Sequence, residues 1–270
     1  MQRIAGWAIV VFWCAAMAWL AWHDIWPAWT ATTPPRVTRA GLANRTLEHQ
    51  TGIFDAHGFR RGTVWSTYST SGGIVSRDEL VALDGIPLLP PLLRIELDLH
   101  YAPDGALDDF DMKVRGADVP ITLKGERFGA QLAFDVNAGP IRQTFKISSA
   151  DASMISGSVD PFPAMPDLHV GQTWRMCVID PLAILMGRGN RFTSMLARVT
   201  SKVTLATPEG GVECFVVEAG AARAWVTASG TVVQQELDLP LLGRLTLRSE
   251  PFDRAAREAA RHRNVPPHEL

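Results

Sequence analysis

Three cysteines, two tyrosines, seven histidines and a formal net charge of only −2 are all that 270 residues offer in reactive side chains and excess charge. Each shortage excludes something. A chain this close to neutral has no basic stripe with which to neutralise a phosphate backbone, so nucleic acid is excluded as a partner. The histidines show neither H-x-x-x-H nor H-E-x-x-H spacing, so no zinc site is expected. Asp104, Asp108, Asp109 and Asp111 crowd one turn but lack the calcium-loop spacing and its closing glutamate, and no other metal site is expected. The phosphate-cradling glycine loop, the G-x-S-x-G elbow and the dinucleotide fingerprint are also missing. No catalytic residue and no cofactor is therefore expected, and the function is sought in binding.

What the chain does have is apolar residues, at 47% of the total, and they are unevenly placed. Residues 4–22, "IAGWAIVVFWCAAMAWLAW", carry no charge over 19 positions. As a helix they would reach roughly 28 Å, close to the hydrocarbon thickness of a bilayer. A cleaved signal peptide has a shorter apolar core, so an uncleaved transmembrane anchor is expected, contacting the inner membrane through residues 4–22. Cys14 lies within the span, and the preceding "VFW" lacks the small residue that lipid modification requires. Trp19, Trp22, Trp26 and Trp29 recur at helical spacing, as tryptophans do at a membrane–water boundary. Arg3 precedes the span and Asp24 follows it, which puts the N-terminus in the cytosol and the rest of the chain outside it. This reading gives a bacterial inner-membrane, single-pass protein with residues 1–29 as anchor, 30–49 as linker, 50–250 as an extracytoplasmic β-domain and 251–270 as a helical tail.

Beyond the linker the period is two. Ile95, Leu97, Leu99 and Tyr101 alternate with Arg94, Glu96, Asp98 and His100, and after a "PDG" turn Phe110, Met112 and Val114 alternate with acidic and basic residues. The pair reads as a hairpin with a slip near Leu107. The pattern recurs through Val119–Leu123, Leu132–Val136 and Ile141–Ile147, then in "TWRMCVI", "ARVTSKVTLA", "VECFVVEAG", "RAWVTA", "TVVQQELDL" and "GRLTLRSE". Short connections make neighbours antiparallel. The expected fold is mainly β, a large curved antiparallel sheet or partly open barrel, preceded by one transmembrane helix and followed by a short C-terminal helix. In that helix Asp253 can cap, alanines share one side and Arg254, Arg257 and Arg261 the other; a solvated helix, or one touching lipid or a partner, fits this pattern.

The stretch "HVGQTWRMCVIDPL", residues 169–182, gathers His169, Cys177 and Asp180 and could suggest a thiol nucleophile. On a strand, however, His169 lies about 26 Å from Cys177. The architectural reading makes Trp174 a core plug and leaves Cys177 and Cys214 as either a disulfide or two buried thiols. Two connections are unexpectedly apolar: Ile86, Leu88, Leu89, Leu92 and Leu93 in "DGIPLLPPLLR", and Leu182, Ile184, Leu185 and Met186 in "DPLAILMGRGN". They either plug the concave side of the sheet or rim a groove for an apolar ligand.

On the residues "LHYAPDGALDDFDMKVRG" and "LHVGQTWRMCVIDPL", positions 58–250 resemble a bacterial extracytoplasmic β-domain family of unknown function, sometimes associated with transglutaminase-like proteins. The shared features are the L-x-x-G-x-x-W opening at Leu168, Gly171 and Trp174 and the D-P-L that follows. The half-barrel is also similar to periplasmic lipoprotein carriers, which implies a lipid or acyl chain held in a curved sheet. The function expected is a membrane-anchored module holding such an envelope ligand, or else a structural or protein-interaction module of an envelope complex.

Overall fold

The computed structural model describes residues 12–19, 35, 46–71, 74–86, 90–103, 106–116, 120–148, 155–157, 162, 165–179, 192–207, 210–239 and 243–263. The first half of the chain forms β1 (Leu47–Asp55), β2 (Arg60–Ser71), β3 (Ile74–Asp84), β4 (Leu92–Tyr101), β5 (Leu107–Arg115), β6 (Ile121–Phe128), β7 (Gln131–Ala138) and β8 (Ile141–Ser148). The second half forms β9 (Ile155–Gly157), β10 (Thr173–Ile179), β11 (Phe192–Thr207), β12 (Gly210–Ala219), β13 (Ala222–Thr227), β14 (Val232–Leu239) and β15 (Gly243–Glu250), followed by a C-terminal helix, Arg254–His262.

All fifteen strands belong to one open sheet in the order β8 to β1, then β15 down to β9. Two antiparallel meanders thus grow outward from a seam where β1 pairs with β15, Gln50 facing Glu250 and Ile53 facing Leu247. That seam joins segments some 200 residues apart, a pairing no local pattern announces. The short β9 lies parallel to β10, against the expectation of antiparallel neighbours throughout. The slip between β4 and β5 falls between His100 and Tyr101, which faces Leu107.

One face of the sheet, the core face, carries a continuous apolar cluster with contributions from both meanders, including Ile53, Val81, Leu97, Phe134, Trp174, Val217 and Leu247. Alternation explains it: on β4, Leu93, Ile95, Leu97 and Leu99 are buried while Glu96 and Asp98 on the other face are only half-buried. Gly125 shows how tightly the face is filled. It stands opposite Phe110 on one side and Phe134 on the other, and an added Cβ would come within 2.1 Å of the Phe110 ring. With hydrogen in its place, the two rings meet over it with centroids 5.5 Å apart.

The proline-rich loop before β10 is part of this core. Phe162, Met165 and Leu168 are buried in the cluster, and both backbone groups of Phe162 bond the buried side-chain amide of Gln235, each at 3.3 Å. Met165 N–H donates to Gly230 O at 2.9 Å. Gly230 has φ +88°, and a Cβ there would sit 2.6 Å from the Pro166 nitrogen, so the turn accepts only glycine.

Of the expected anchor, residues 12–19 are helical; Trp22, Trp26, Trp29 and the rest of 4–22 lie outside the described residues. Among the described residues no helix is long and apolar enough to cross a membrane.

Candidate functional site

Strands β1 to β3 depart from the alternation in both directions. On the core face, Arg77, Glu79 and Ser66 are each at most 3% exposed. Arg77 and Glu79 form a tight ion pair, Ser66 Oγ donates to Glu79 Oε2 at 3.3 Å, and the Arg77 guanidinium lies over the Tyr68 ring at 5.6 Å. Burial pushes the Tyr101 phenol up. His49 faces Ser66 across β1 and β2, and its Nε2 bonds Thr51 Oγ1 at 3.0 Å. Beside this cluster is a small cavity of about 150 Å³, reached by Phe162 and the β13–β14 turn. Ser66 is bonded to a carboxylate already paired with arginine, which is not the arrangement of a nucleophile with its base.

On the outer face the same strands place Trp65 and Leu80 opposite one another, 5% and 0% exposed and both outside the core cluster. The C-terminal helix covers them. Asp253 caps its start, Oδ1 accepting from Ala256 N–H at 2.9 Å, while Asp253 N–H donates to Gln50 Oε1 at 2.8 Å. Arg254 pairs with Glu48, and Arg257 and Arg261 both pair with Asp78. At the far end Arg94 Nη1 donates to the carbonyls of Ala260, Arg261 and Arg263, at 3.2, 2.6 and 3.1 Å, satisfying groups that every helix end leaves open. The tail keeps a solvated face, as expected, but it is also docked on the sheet, because the arginines on its polar side find Asp78 and Glu48 below them.

Docking is achieved at the ends and edges, and no residue of the helix is buried. Under its middle, Ala256, Ala259 and Ala260 face Gly62, Thr63 and Ala82 across a cavity of about 610 Å³. The void follows from small side chains on both sides. Trp65 and Leu92 add apolar wall, and Arg60, Arg61, Arg94 and Arg263 reach it from the edge. Those arginines are largely engaged. Arg60 forks onto Glu250 at 2.9 and 2.8 Å, and Arg61 bonds Asp55 Oδ2 at 2.9 Å and Gly85 O at 3.0 Å. Desolvation pushes Asp55 up, but Arg61 and the backbone N–H groups of Phe59 and His57 outweigh it and hold the carboxyl below its ordinary range. The Trp65 indole N–H, in contrast, has no hydrogen-bond partner among the described residues.

The residues singled out from the sequence do not converge here. Ile86 and Leu93 are buried in the core cluster, whereas Leu92, one position out of phase, turns to the outer cavity. Leu88, Leu89, Leu182, Ile184, Leu185 and Met186 lie outside the described residues. Trp174 is fully buried in the core, opposite Ala197 of β11. The disulfide alternative is corrected. Cys214 is a free, buried thiol whose pKa burial raises. Cys177 faces Ser194 on β11 while Cys214 faces Val203, nine positions further along that strand, roughly 30 Å against the ~7 Å a disulfide tolerates. Trp65, Arg94, Arg77 and Glu79 were not expected as site residues. The available signal was "RDEL", which puts a charge on both faces of one strand where an ordinary half-buried strand charges only one.

No family model and no curated protein matches the chain. Among solved structures it is similar to a β-barrel-like protein of a domain of unknown function, DUF1849, from Brucella abortus, with a TM-score of 0.43, 11% identity, and coverage of 76% of this chain and 95% of that one. It is also similar to a DUF1089 family protein from Pseudomonas aeruginosa, with a TM-score of 0.39, 15% identity, and coverage of 66% and 90%. Both are likenesses of fold.

Proposed function

We propose that the protein is a membrane-anchored extracytoplasmic binding module that holds an apolar or amphiphilic envelope ligand, a lipid or acyl chain, between its C-terminal helix and the outer face of its sheet. The observation that carries this reading is the cavity of about 610 Å³ beneath a helix none of whose residues is buried. Its volume falls within the ~300–1,000 Å³ of small-molecule sites, and its lining is amphiphilic: Trp65, Leu92, Ala82 and the helix alanines supply apolar surface, and arginines, Asp84, Asp253, Gln50 and Thr63 the rest. The reading moves the ligand from the core face of the sheet, which the apolar cluster occupies, to the opposite face. Residues 4–22 serve as the anchor, with the N-terminus cytosolic, which brings the site close to a source of acyl chains.

Native mass spectrometry of the full chain extracted in detergent tests it. The expected result is a co-purified adduct of lipid mass that Ala256→Phe, which fills the cavity, removes. A bare chain that instead retains a partner protein would replace this function with that of an interaction module in an envelope complex.

A further inference from the structure

We infer that the ligand is a zwitterionic amphiphile, a lipid whose headgroup carries a phosphate and an ammonium, the phosphate meeting Arg263 and the ammonium meeting Asp84 at the mouth of the cavity. The inference rests on the cavity being the ligand site and adds the chemistry of the headgroup it selects.

Pairing off the charges of the lining carries it. Arg60 is forked onto Glu250, and Arg61 is held by Asp55. Arg94 pairs with Glu96 at 3.1 Å and gives its Nη1 to three helix carbonyls. Asp253 is taken up in capping the helix. That leaves one charge of each sign in the lining: among the described residues neither Arg263 nor Asp84 has an ion pair or a hydrogen bond from its side chain. Both are exposed, so they stand where a headgroup stays in water while its chain lies further in. They also flank the same residue. Asp84 faces Leu92 across β3 and β4, which makes it the diagonal neighbour of Arg94, roughly 7–8 Å away, and the Arg263 carbonyl accepts from Arg94 Nη1 at 3.1 Å. A ligand with a lone negative charge would meet Arg263 but settle beside the Asp84 carboxylate, and a lone positive charge would face the reverse. A phosphate and an ammonium on one headgroup answer both groups at once. Trp65, Leu92 and the helix alanines supply the apolar surface along which the chain runs.

The test is a native mass-spectrometric titration of the full chain in non-ionic detergent at pH 7 with three single-chain lipids. These are 1-palmitoyl-lysophosphatidylethanolamine, 1-palmitoyl-lysophosphatidylglycerol, which keeps the phosphodiester and lacks the ammonium, and 1-monopalmitoylglycerol, which lacks both. The ethanolamine lipid is expected to bind at least about fivefold more tightly than either of the others, the worth of one partly wet charge contact. Asp84→Asn is expected to bring the two phospholipids to equal affinity. Arg263→Gln is expected to weaken both of them about fivefold and to leave the monoglyceride unchanged. Neither side chain holds another part of the fold, so both variants are expected to fold. A phosphatidylglycerol lipid bound as tightly as the ethanolamine one, a ratio untouched by Asp84→Asn, or phospholipid binding indifferent to Arg263→Gln overturns the inference while leaving the cavity in place. If all three adducts persist in Ala256→Phe, binding lies elsewhere and the cavity reading itself fails.

Discussion

Along β4 the core face reads Leu93, Ile95, Leu97, Leu99, while β3 beside it puts Arg77 and Glu79 among the same neighbours and turns Leu80 outward. The adjoining strands show the same split: β5 to β7 fill the core face with Met112, Leu123 and Phe134, and β2 gives it Ser66 and Tyr68 while sending Trp65 to the other side. In β5 to β7, and in β4 beyond Leu92 and Arg94, the sheet is one-faced and its outer side is polar. In β1 to β3 it is two-faced, and each face requires a remedy. Inside, the charges are neutralised pairwise. Outside, the apolar residues are covered by a helix that arrives from the far end of the chain. The part of the sheet that breaks the simple pattern is also the part that holds the cavity.

The largest effect that would sharpen this contrast comes from removing one half of the buried ion pair. Glu79→Ala leaves the Arg77 guanidinium in a site 1% exposed with its carboxylate gone, and should lower the unfolding free energy by about 3–5 kcal/mol in urea denaturation. The double replacement Arg77→Met with Glu79→Leu removes both charges and should restore most of that loss, making β3 resemble β4. If the single and double variants are equally unstable, the pair shapes the sheet through something other than charge neutralisation.

A smaller effect belongs to the one-faced region. Gly125→Ala pushes a methyl into the Phe110 ring, and overpacking of this kind costs about 1–3 kcal/mol. Because the crowding is between rings, Gly125→Ala combined with Phe110→Leu should recover part of it. A Gly125→Ala protein that melts like the parent would show that the core of β5 to β7 is looser than its packing indicates.

The same contrast explains what the sequence disclosed. The one-faced strands are legible because burial on one side imposes a period of two on any sheet, and Ile95, Phe110, Leu123 and Phe134 are all found on the face that their alternation assigns. In β1 to β3 polar residues occupy core positions and Trp65 and Leu80 occupy outer ones, so the period is erased and no strand was separately assigned there. The seam between β1 and β15 is invisible for a different reason: it joins the two ends of the domain, and a pairing at such separation leaves no local mark. The helix itself was legible from Asp253 and the alanine–arginine pattern. Its docking was not, since that depends on Asp78 and Glu48, whose position beneath it is settled only once the sheet is formed.

The smallest expected effect tests whether the outer remedy is as firm as the inner one. Asp78 holds both Arg257 and Arg261, and with side-chain exposures of 37%, 14% and 36% these are partly wet pairs, each contributing no more than about 1 kcal/mol. Burial and the neighbouring Arg261 push Arg257 down. Asp78→Asn should therefore leave the unfolding midpoint of the sheet nearly unchanged while loosening the helix. Amide exchange across Ala255–His262 should quicken several-fold, and trypsin should cut after Arg257 and Arg261 before it cuts within any strand. Raising salt on the unaltered protein should move both readouts in the same direction, because screening weakens exposed pairs far more than the buried Arg77–Glu79 pair. A helix whose exchange ignores both Asp78→Asn and salt would be held instead by the bonds of Arg94 to its last carbonyls and of Asp253 to Gln50, and the cavity beneath it would then open only with the sheet.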